Sequence, residues 1–222
     1  IKQYHPDALV LIDFPGFNLR LAKWAKKKGY KVIYYISPQV WAWKAERVYK
    51  ISSYTDKLIT ILPFEQKFYA DYGFDVDKVS HPILEEIQME KEKPLDPAIN
   101  TISEKPIIAL LPGSRKQEIK HTLSTMSKVA KYFPNYQFVV AGVSEIKLDY
   151  YERFVETDWV KVVHDKTYDL LKVAKAAIVT SGTATLETAL FNVPQIVCYK
   201  GNKFSYWICL LYTSPSPRDD IS

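Results

Sequence analysis

The chain has 222 residues, with 30 Lys and Arg against 25 Asp and Glu (net charge +5), two cysteines and 47% hydrophobic residues. That length gives one or two domains, and the ordinary apolar fraction excludes disorder for most of the chain. No apolar run approaches the roughly 18 to 20 residues a bilayer crossing needs, and Cys198 and Cys209 have neither a CxxC partner nor a Cys/His zinc spacing, which excludes a disulfide framework and favours a reducing compartment.

Ala8 to Asp13 reads as a buried strand and Phe14-Pro15-Gly16-Phe17 as the loop after it. Asn18 can cap a helix running to about Lys28, with Lys26 to Lys28 as a solvated basic end and Gly29 just past it. Tyr30 to Ile36 is the next strand, followed by a loop opening Ser37-Pro38. A helix from Lys44 to Tyr54, a strand at Lys57 to Leu62, a helix at Phe64 to Tyr72 and a strand near Phe74 to Val79 follow. Apolar strands alternating with helices mean βαβ units and a parallel sheet. From about Glu85 to Lys105 the periodicity lapses, and Pro94 and Asp96-Pro97 suggest a linker.

The alternation then restarts. Strands are expected at Ile107 to Leu111, Gln137 to Ala141, Val160 to Val163, Ala176 to Thr180 and Gln195 to Tyr199. Helices are expected at Lys116 to Phe133, Glu145 to Val155, Tyr168 to Ala174 and Thr183 to Phe191. The fold class is α/β, as two Rossmann-like domains facing each other, both incomplete. Their expected extents are 1–88 and 106–208, with a linker at 89–105 and a disordered tail at 209–222. The absence of an initial Met fits a piece of a longer protein.

Ligands of open α/β sheets bind beyond the carboxyl ends of strands. At Leu111-Pro112-Gly113-Ser114-Arg115, Gly113 lets backbone approach a ligand and Ser114 exposes a hydroxyl. The helix N-terminus that follows offers N–H groups to an anion, and Arg115 adds a phosphate-shaped fork. A purely structural reading is equally open, with Ser114 as N-cap and Gln117 closing a capping box. Ser181-Gly182-Thr183-Ala184-Thr185-Leu186-Glu187 is a second such junction, where Glu187 could bind sugar hydroxyls; a Thr cap and a dipole-matched acid would explain it too. Two such junctions without a Walker Gly-Lys-Thr or a GxGxxG point to a nucleoside diphosphate held without ATP or NAD machinery.

Asp13, at the end of the first strand, is a candidate general base, or simply an Asp satisfying loop amides. Trp41 and Trp43, two apart, cannot both face one core, so one can line a pocket or meet lipid. His81 is a possible ligand contact; His5, His121 and His164 have no partners at metal spacing. The modest positive charge suits phosphorylated ligands or an anionic membrane surface.

Five segments together carry a resemblance: Leu11 to Asn18, Tyr35 to Trp43 (with Ser37-Pro38-Gln39-Val40-Trp41-Ala42-Trp43), Leu62 to Glu65, Leu110 to Arg115 and Thr180 to Glu187. In this order they resemble the lipid-A-disaccharide synthase family of inverting GT-B glycosyltransferases, over about residues 7 to 208. The resemblance implies attack of the 6-hydroxyl of 2,3-diacylglucosamine 1-phosphate on UDP-2,3-diacylglucosamine, giving a β-1,6 disaccharide and UDP. It implies Asp13 as base and Arg115 as the cation on the departing UDP. Gly113, Ser114, Ser181, Gly182, Thr183, Thr185 and Glu187 would hold the donor, with Glu187 on the ribose. Asn18, Ser37, Trp41, Trp43 and His81 would serve the acceptor or lipid side. Some members carry Asp where this chain has Gly16, so the essential aspartate maps to Asp13. No metal, cofactor or nucleic-acid partner is implied; the UDP-sugar is a substrate. The implied location is the cytoplasm, peripheral on the inner face of the bacterial cytoplasmic membrane.

The resemblance stops near Trp207. Cys209 to Asp219 does not match, which suggests a non-native tail on a truncated gene and little transferase activity for the chain alone. The alternatives are another GT-B enzyme of UDP-sugars, such as a UDP-N-acetylglucosamine transferase or 2-epimerase, or a two-lobed binding protein.

Overall fold

The computed structural model describes residues 1–42, 45, 47–155 and 159–199. The chain divides into two units, Ile1–Glu85 and Glu86 onward. Trp43, Lys44 and the 209–222 tail lie outside the described residues.

The first unit runs β1 (Ala8–Ile12), α1 (Pro15–Lys27), β2 (Lys31–Tyr35), α2 (Arg47–Tyr54), β3 (Lys57–Thr60), α3 (Glu65–Asp71) and β4 (Asp77–Lys78). All strands are parallel, in the order β1-β2-β3-β4. Alternation along each strand sends Leu11, Val32, Tyr34 and Leu58 into one core with Ala22 and Ala25 of α1, Val48 and Ile51 of α2, and Tyr69 of α3.

The expected burial of the first strand is half wrong. Val10 and Ile12 are 58% and 56% exposed, because among the described residues the helices of this unit pack on the opposite face of β1, where Leu11 is buried. The helix start also differs. Pro15, with its φ preset, begins α1 three residues before Asn18, and no side chain caps it. Asn18 instead donates from Nδ2 to the carbonyls of Ile12 and Asp13, at 2.9 and 2.8 Å, tying strand to helix. Gly29, at φ +79, ends the helix in the left-handed conformation expected of it. Lys26 is not merely solvated, since it pairs with Asp56 at 2.6 Å.

The second unit runs α4 (Pro82–Glu92), α5 (Pro97–Asn100), β5 (Ile107–Leu111), α6 (Lys116–Ser127), β6 (Gln137–Gly142), α7 (Leu148–Glu152), β7 (Val160–His164), α8 (Thr167–Val173), β8 (Ala174–Thr180), α9 (Thr183–Leu190) and β9 (Gln195–Cys198). In the division of the chain, α4 straddles the boundary. Part of the stretch read as a linker is therefore helical. In α4 only Ile87 is buried, too sparse an apolar face to show as periodicity.

The sheet order is β7-β6-β5-β8-β9, all parallel. Period-two alternation splits its strands between two cores. Leu110, Phe138, Val140 and Ile178 pack with Ile119 and Leu123 of α6 and Tyr151 of α7. Ala109, Leu111, Val139, Ala141, Ala177 and Val179 pack with Leu170 and Leu171 of α8, with Ala184 of α9 against the same cluster. Helices thus cover both faces. The chain steps from β5 outward to β6 and β7, then returns to place β8 on the other side of β5. Between β5 and β8 the winding reverses, and such a reversal opens a crevice at the strands' carboxyl ends.

Candidate functional site

That crevice is occupied by a cavity of about 500 Å³. Gly113, Ser114 and Arg115 line it from the loop after β5 and Glu118 from α6; Ser181, Gly182 and Thr183 follow β8, and Glu187 projects from α9. The two junctions chosen from sequence therefore meet around one space. Thr185 is the exception among the candidate donor residues, since its hydroxyl turns back to the Gly182 carbonyl at 2.7 Å.

The β5 exit is built differently from the capping box expected there. The N-cap of α6 is Arg115, not Ser114, with φ −106 and ψ 139. Glu118, three residues on, accepts from the Arg115 backbone N–H at 3.3 Å and from its guanidinium at 3.4 Å. The whole box is thus shifted by one position, with Arg115 and Glu118 at the same spacing as Ser114 and Gln117. Ser114 is left exposed at the cavity mouth. Gly113 adopts φ +97, and a β-carbon there would stand 2.3 Å from Glu118 Oε2. Only glycine suits this turn.

Thr122, which sequence reasoning missed, joins the two junctions from beneath. Its hydroxyl donates to the Glu118 carbonyl at 2.9 Å, with the Pro112 carbonyl as the alternative acceptor at 3.2 Å, and Thr180 donates to it at 3.4 Å. Nothing local in the sequence signals a contact across 58 positions.

At the β8 exit, Gly182 is the N-cap of α9 and no side chain caps the helix, so Thr183 does not play the part a structural reading gave it. Glu187 lies a turn deeper than a dipole-matched acid would. Burial, the largest cause, and the nearby Glu86 charge hold its carboxyl above the usual range, against a hydrogen bond from Tyr168 that lowers it.

In the first unit, Asp13 and Phe14 have φ of 44° and 43°, an uncommon conformation for two successive non-glycine residues. The turn is held through backbone. The Asp13 carbonyl accepts from the Tyr34 hydroxyl at 2.7 Å, and its N–H donates to Tyr35 at 3.0 Å. Burial first, then the Asp13 charge, pushes the Tyr34 phenol up to about 12. Among the described residues the Asp13 carboxylate accepts no hydrogen bond, from loop amides or otherwise. It stands exposed beside Phe14 and Phe17, which are 69% and 52% exposed.

The other acceptor-side candidates are more structural. Ser37 is 3% exposed and shares a short hydrogen bond with the Tyr69 hydroxyl. Trp41 is half-buried, edge-on to Phe64 at 4.9 Å, and donates from Nε1 to Glu65 at 3.3 Å. His81 accepts from the Ile83 N–H at 3.3 Å at the start of α4. Glu65 stands out in the sequence only as the last residue of the Leu62 to Glu65 motif. It is 1% exposed and its Oε2 accepts from the N–H groups of Ile61 and Leu62 at 3.2 and 2.9 Å. No group of three metal-ligating side chains occurs among the described residues.

Comparison with known proteins agrees with the motifs. A family model described as lipid-A-disaccharide synthetase matches residues 1–212. The lipid-A-disaccharide synthase of Nitrosococcus oceani is 40% identical over 218 residues, covering 94% of this chain and 56% of the relative. That of Coxiella burnetii is 39% identical, covering 93% and 56%. Lipid-A-disaccharide synthase 1 of Legionella pneumophila is 40% identical, covering 93% and 57%. The chain thus spans a little over half the length of these relatives. Among solved structures, UDP-GlcNAc 2-epimerase from Neisseria meningitidis bound to UDP-GlcNAc superposes with a TM-score of 0.63 at 11% identity, covering 94% of this chain and 63% of that one. A putative UDP-N-acetylglucosamine 2-epimerase from Listeria monocytogenes gives 0.59 at 9% identity, covering 94% and 61%. At such identities the likeness is one of fold. The family match over residues 1–212 is of another order, and this chain belongs to the lipid-A-disaccharide synthase family.

Proposed function

We propose that the chain is the nucleotide-binding and base-bearing part of an inverting glycosyltransferase. It would join 2,3-diacylglucosamine from its UDP donor to the 6-hydroxyl of 2,3-diacylglucosamine 1-phosphate. The observation that carries this reading is the cavity at the β5/β8 reversal, where the Arg115 guanidinium, two strand-to-helix junctions and the carboxylates of Glu118 and Glu187 converge.

The donor's diphosphate would lie against Arg115 and the amides of the Gly113 and Ser181–Thr183 turns, with the ribose hydroxyls on Glu187. In the transfer step, the acceptor's 6-oxygen forms a bond to the anomeric carbon as the bond to the β-phosphate oxygen breaks. The proton of the hydroxyl passes to the Asp13 carboxylate, and the bonding pair leaves on UDP. Arg115 and the amides stabilise that departing charge, which is where preorganised donors act most strongly on a rate. Inversion gives the β linkage. No residue set for a metal is needed in this scheme.

The acceptor carries acyl chains, and Phe14, Phe17 and Ile12, exposed around Asp13, are apolar surface suited to them. No helix among the described residues is long and apolar enough to cross a membrane. The proposed membrane contact is peripheral, at an anionic surface facing the cytoplasm.

The test is a UDP titration of the chain beside R115A. The unaltered chain should bind saturably, and R115A should bind 10- to 100-fold more weakly, a loss on the order of 1.5–3 kcal/mol for a charge-assisted contact. Equal binding by both proteins would remove the ground for this reading.

A further inference from the structure

The Tyr168 hydroxyl lies between two carboxylates, 3.3 Å from Oε1 of Glu86 and 3.4 Å from Oε1 of Glu187. A phenol has one proton and so can donate to only one of them at a time. Its ring is not free to leave. Tyr168 stacks on Phe191, with centroids 5.6 Å apart and planes at 25°. Lys91, on the same helix as Glu86, donates to the Leu190 carbonyl at 2.6 Å and lies 5.6 Å from the centroid of that Phe191 ring. Three helices, α4, α8 and α9, are thereby pinned around one phenol. Glu187 borders both the main cavity and a smaller one beside Tyr168.

We propose that Tyr168 and Glu86 are positioning residues for Glu187. The phenol, braced by Glu86, would hold one oxygen of Glu187 so that the other faces the cavity as an acceptor for vicinal hydroxyls. The inference rests on the nucleotide reading, and it extends that reading from a single ribose-binding acid to the pair of side chains that set its orientation and charge.

The two partners act on that charge in opposite senses. The Tyr168 hydrogen bond favours the carboxylate, whereas the Glu86 charge disfavours it. Other charged groups border Glu187. Glu90, Asp165 and Asp169 share the smaller cavity, and Arg115 and Glu118 line the larger one. Lys91 stands over Phe191, while Lys166 and Lys172 are engaged with Asp96 and Asp169. None of these groups changes in the two variants that follow.

An ionised carboxylate accepts from a diol more strongly than the neutral acid, so UDP affinity should fall as pH drops through the Glu187 midpoint. Y168F removes the stabilising hydrogen bond and should raise that midpoint. E86Q removes the opposing charge and should lower it. The experiment is a carbon-13 titration of the Glu187 carboxyl in the unaltered chain, Y168F and E86Q, with UDP affinity measured across the same pH range. UDP's own titration is common to all three proteins and cancels in their ratios. Y168F should weaken UDP binding about three- to ten-fold on the acid side and less at higher pH, with the E86Q profile displaced the other way. Midpoints that do not move apart, or a loss of UDP affinity in Y168F equal at every pH, overturn the inference. Midpoints that separate as expected while the unaltered chain takes up no UDP overturn the nucleotide reading instead.

Discussion

Gly113 turns the chain out of β5 and into the wall of the cavity. Its φ of +97 is the reason for glycine, and a residue with a β-carbon would bear on the order of 1–2 kcal/mol for that conformation. The contact with Glu118 Oε2 is a lesser obstacle, since a flexible carboxylate can rotate away. G113A should therefore lower stability in thermal unfolding by about 1–2 kcal/mol, and the loss should persist in an E118A background. A loss that vanished there would mean that crowding, not the dihedral, selects glycine. Arg115, Ser181 and Glu187 were equally readable, because strand-to-helix junctions are local patterns. Glu65 was not, because its importance lies in burial. Its carboxylate serves two backbone N–H groups and the Trp41 indole from a position 1% exposed. E65A should cost the first unit about 2–4 kcal/mol in denaturant unfolding, as donors lose a charged acceptor within the core. A change below half a kilocalorie, on the order of an ordinary surface substitution, would contradict that.

At the scale of elements, helix and strand types followed from periodicity, and the misreadings have identifiable causes. The burial of β1 was misjudged because a continuous apolar run looks the same whether one face or both are covered. The helix α4 was missed because its single buried residue leaves no stripe. The start of α1 moved because Pro15 competes with Asn18 for the first turn, and the Asn amide is better used on two carbonyls. Side-chain bonds between elements were not visible at all, and Asp56 is one with a measurable consequence. It joins the end of α1 to β2, accepting from Lys26 and from the Val32 N–H at 2.8 Å. The Lys26 hydrogen bond first, then that of Val32, holds its carboxyl below the usual range. A carboxyl whose folded value is depressed contributes stability above its unfolded value of about 3.9, and the contribution fades as pH falls through the folded value. Unfolding followed from pH 6 down to pH 2 should show D56N with a flatter decline than the unaltered chain. Parallel curves would mean that Asp56 is not linked to folding.

For the whole molecule, the double winding of the second unit turns a list of motifs into a site. The two junctions stand 66 residues apart from Arg115 to Ser181, yet the return of the chain to β8 puts them on adjacent strands. That return was expected only as alternation, since a sequence shows which segments are strands and not which neighbours they choose. The same topology bears on cooperativity. One core lies wholly within residues of the first unit, and the other two within the second. Ile51 and Leu123 are each fully buried, one in each unit, and truncation of either to Ala should cost about 2–5 kcal/mol. Because no residue is shared between the clusters, the damage should stay local. In native-state hydrogen exchange, I51A should lose protection across the strands of residues 8–60 and leave 107–198 unchanged, while L123A does the reverse. The comparison is informative because both substitutions remove similar volumes from similar depths, so unequal chemistry cannot account for a difference in location. Equal loss of protection in both units from either variant would show that the chain unfolds as one cooperative body despite its separate cores.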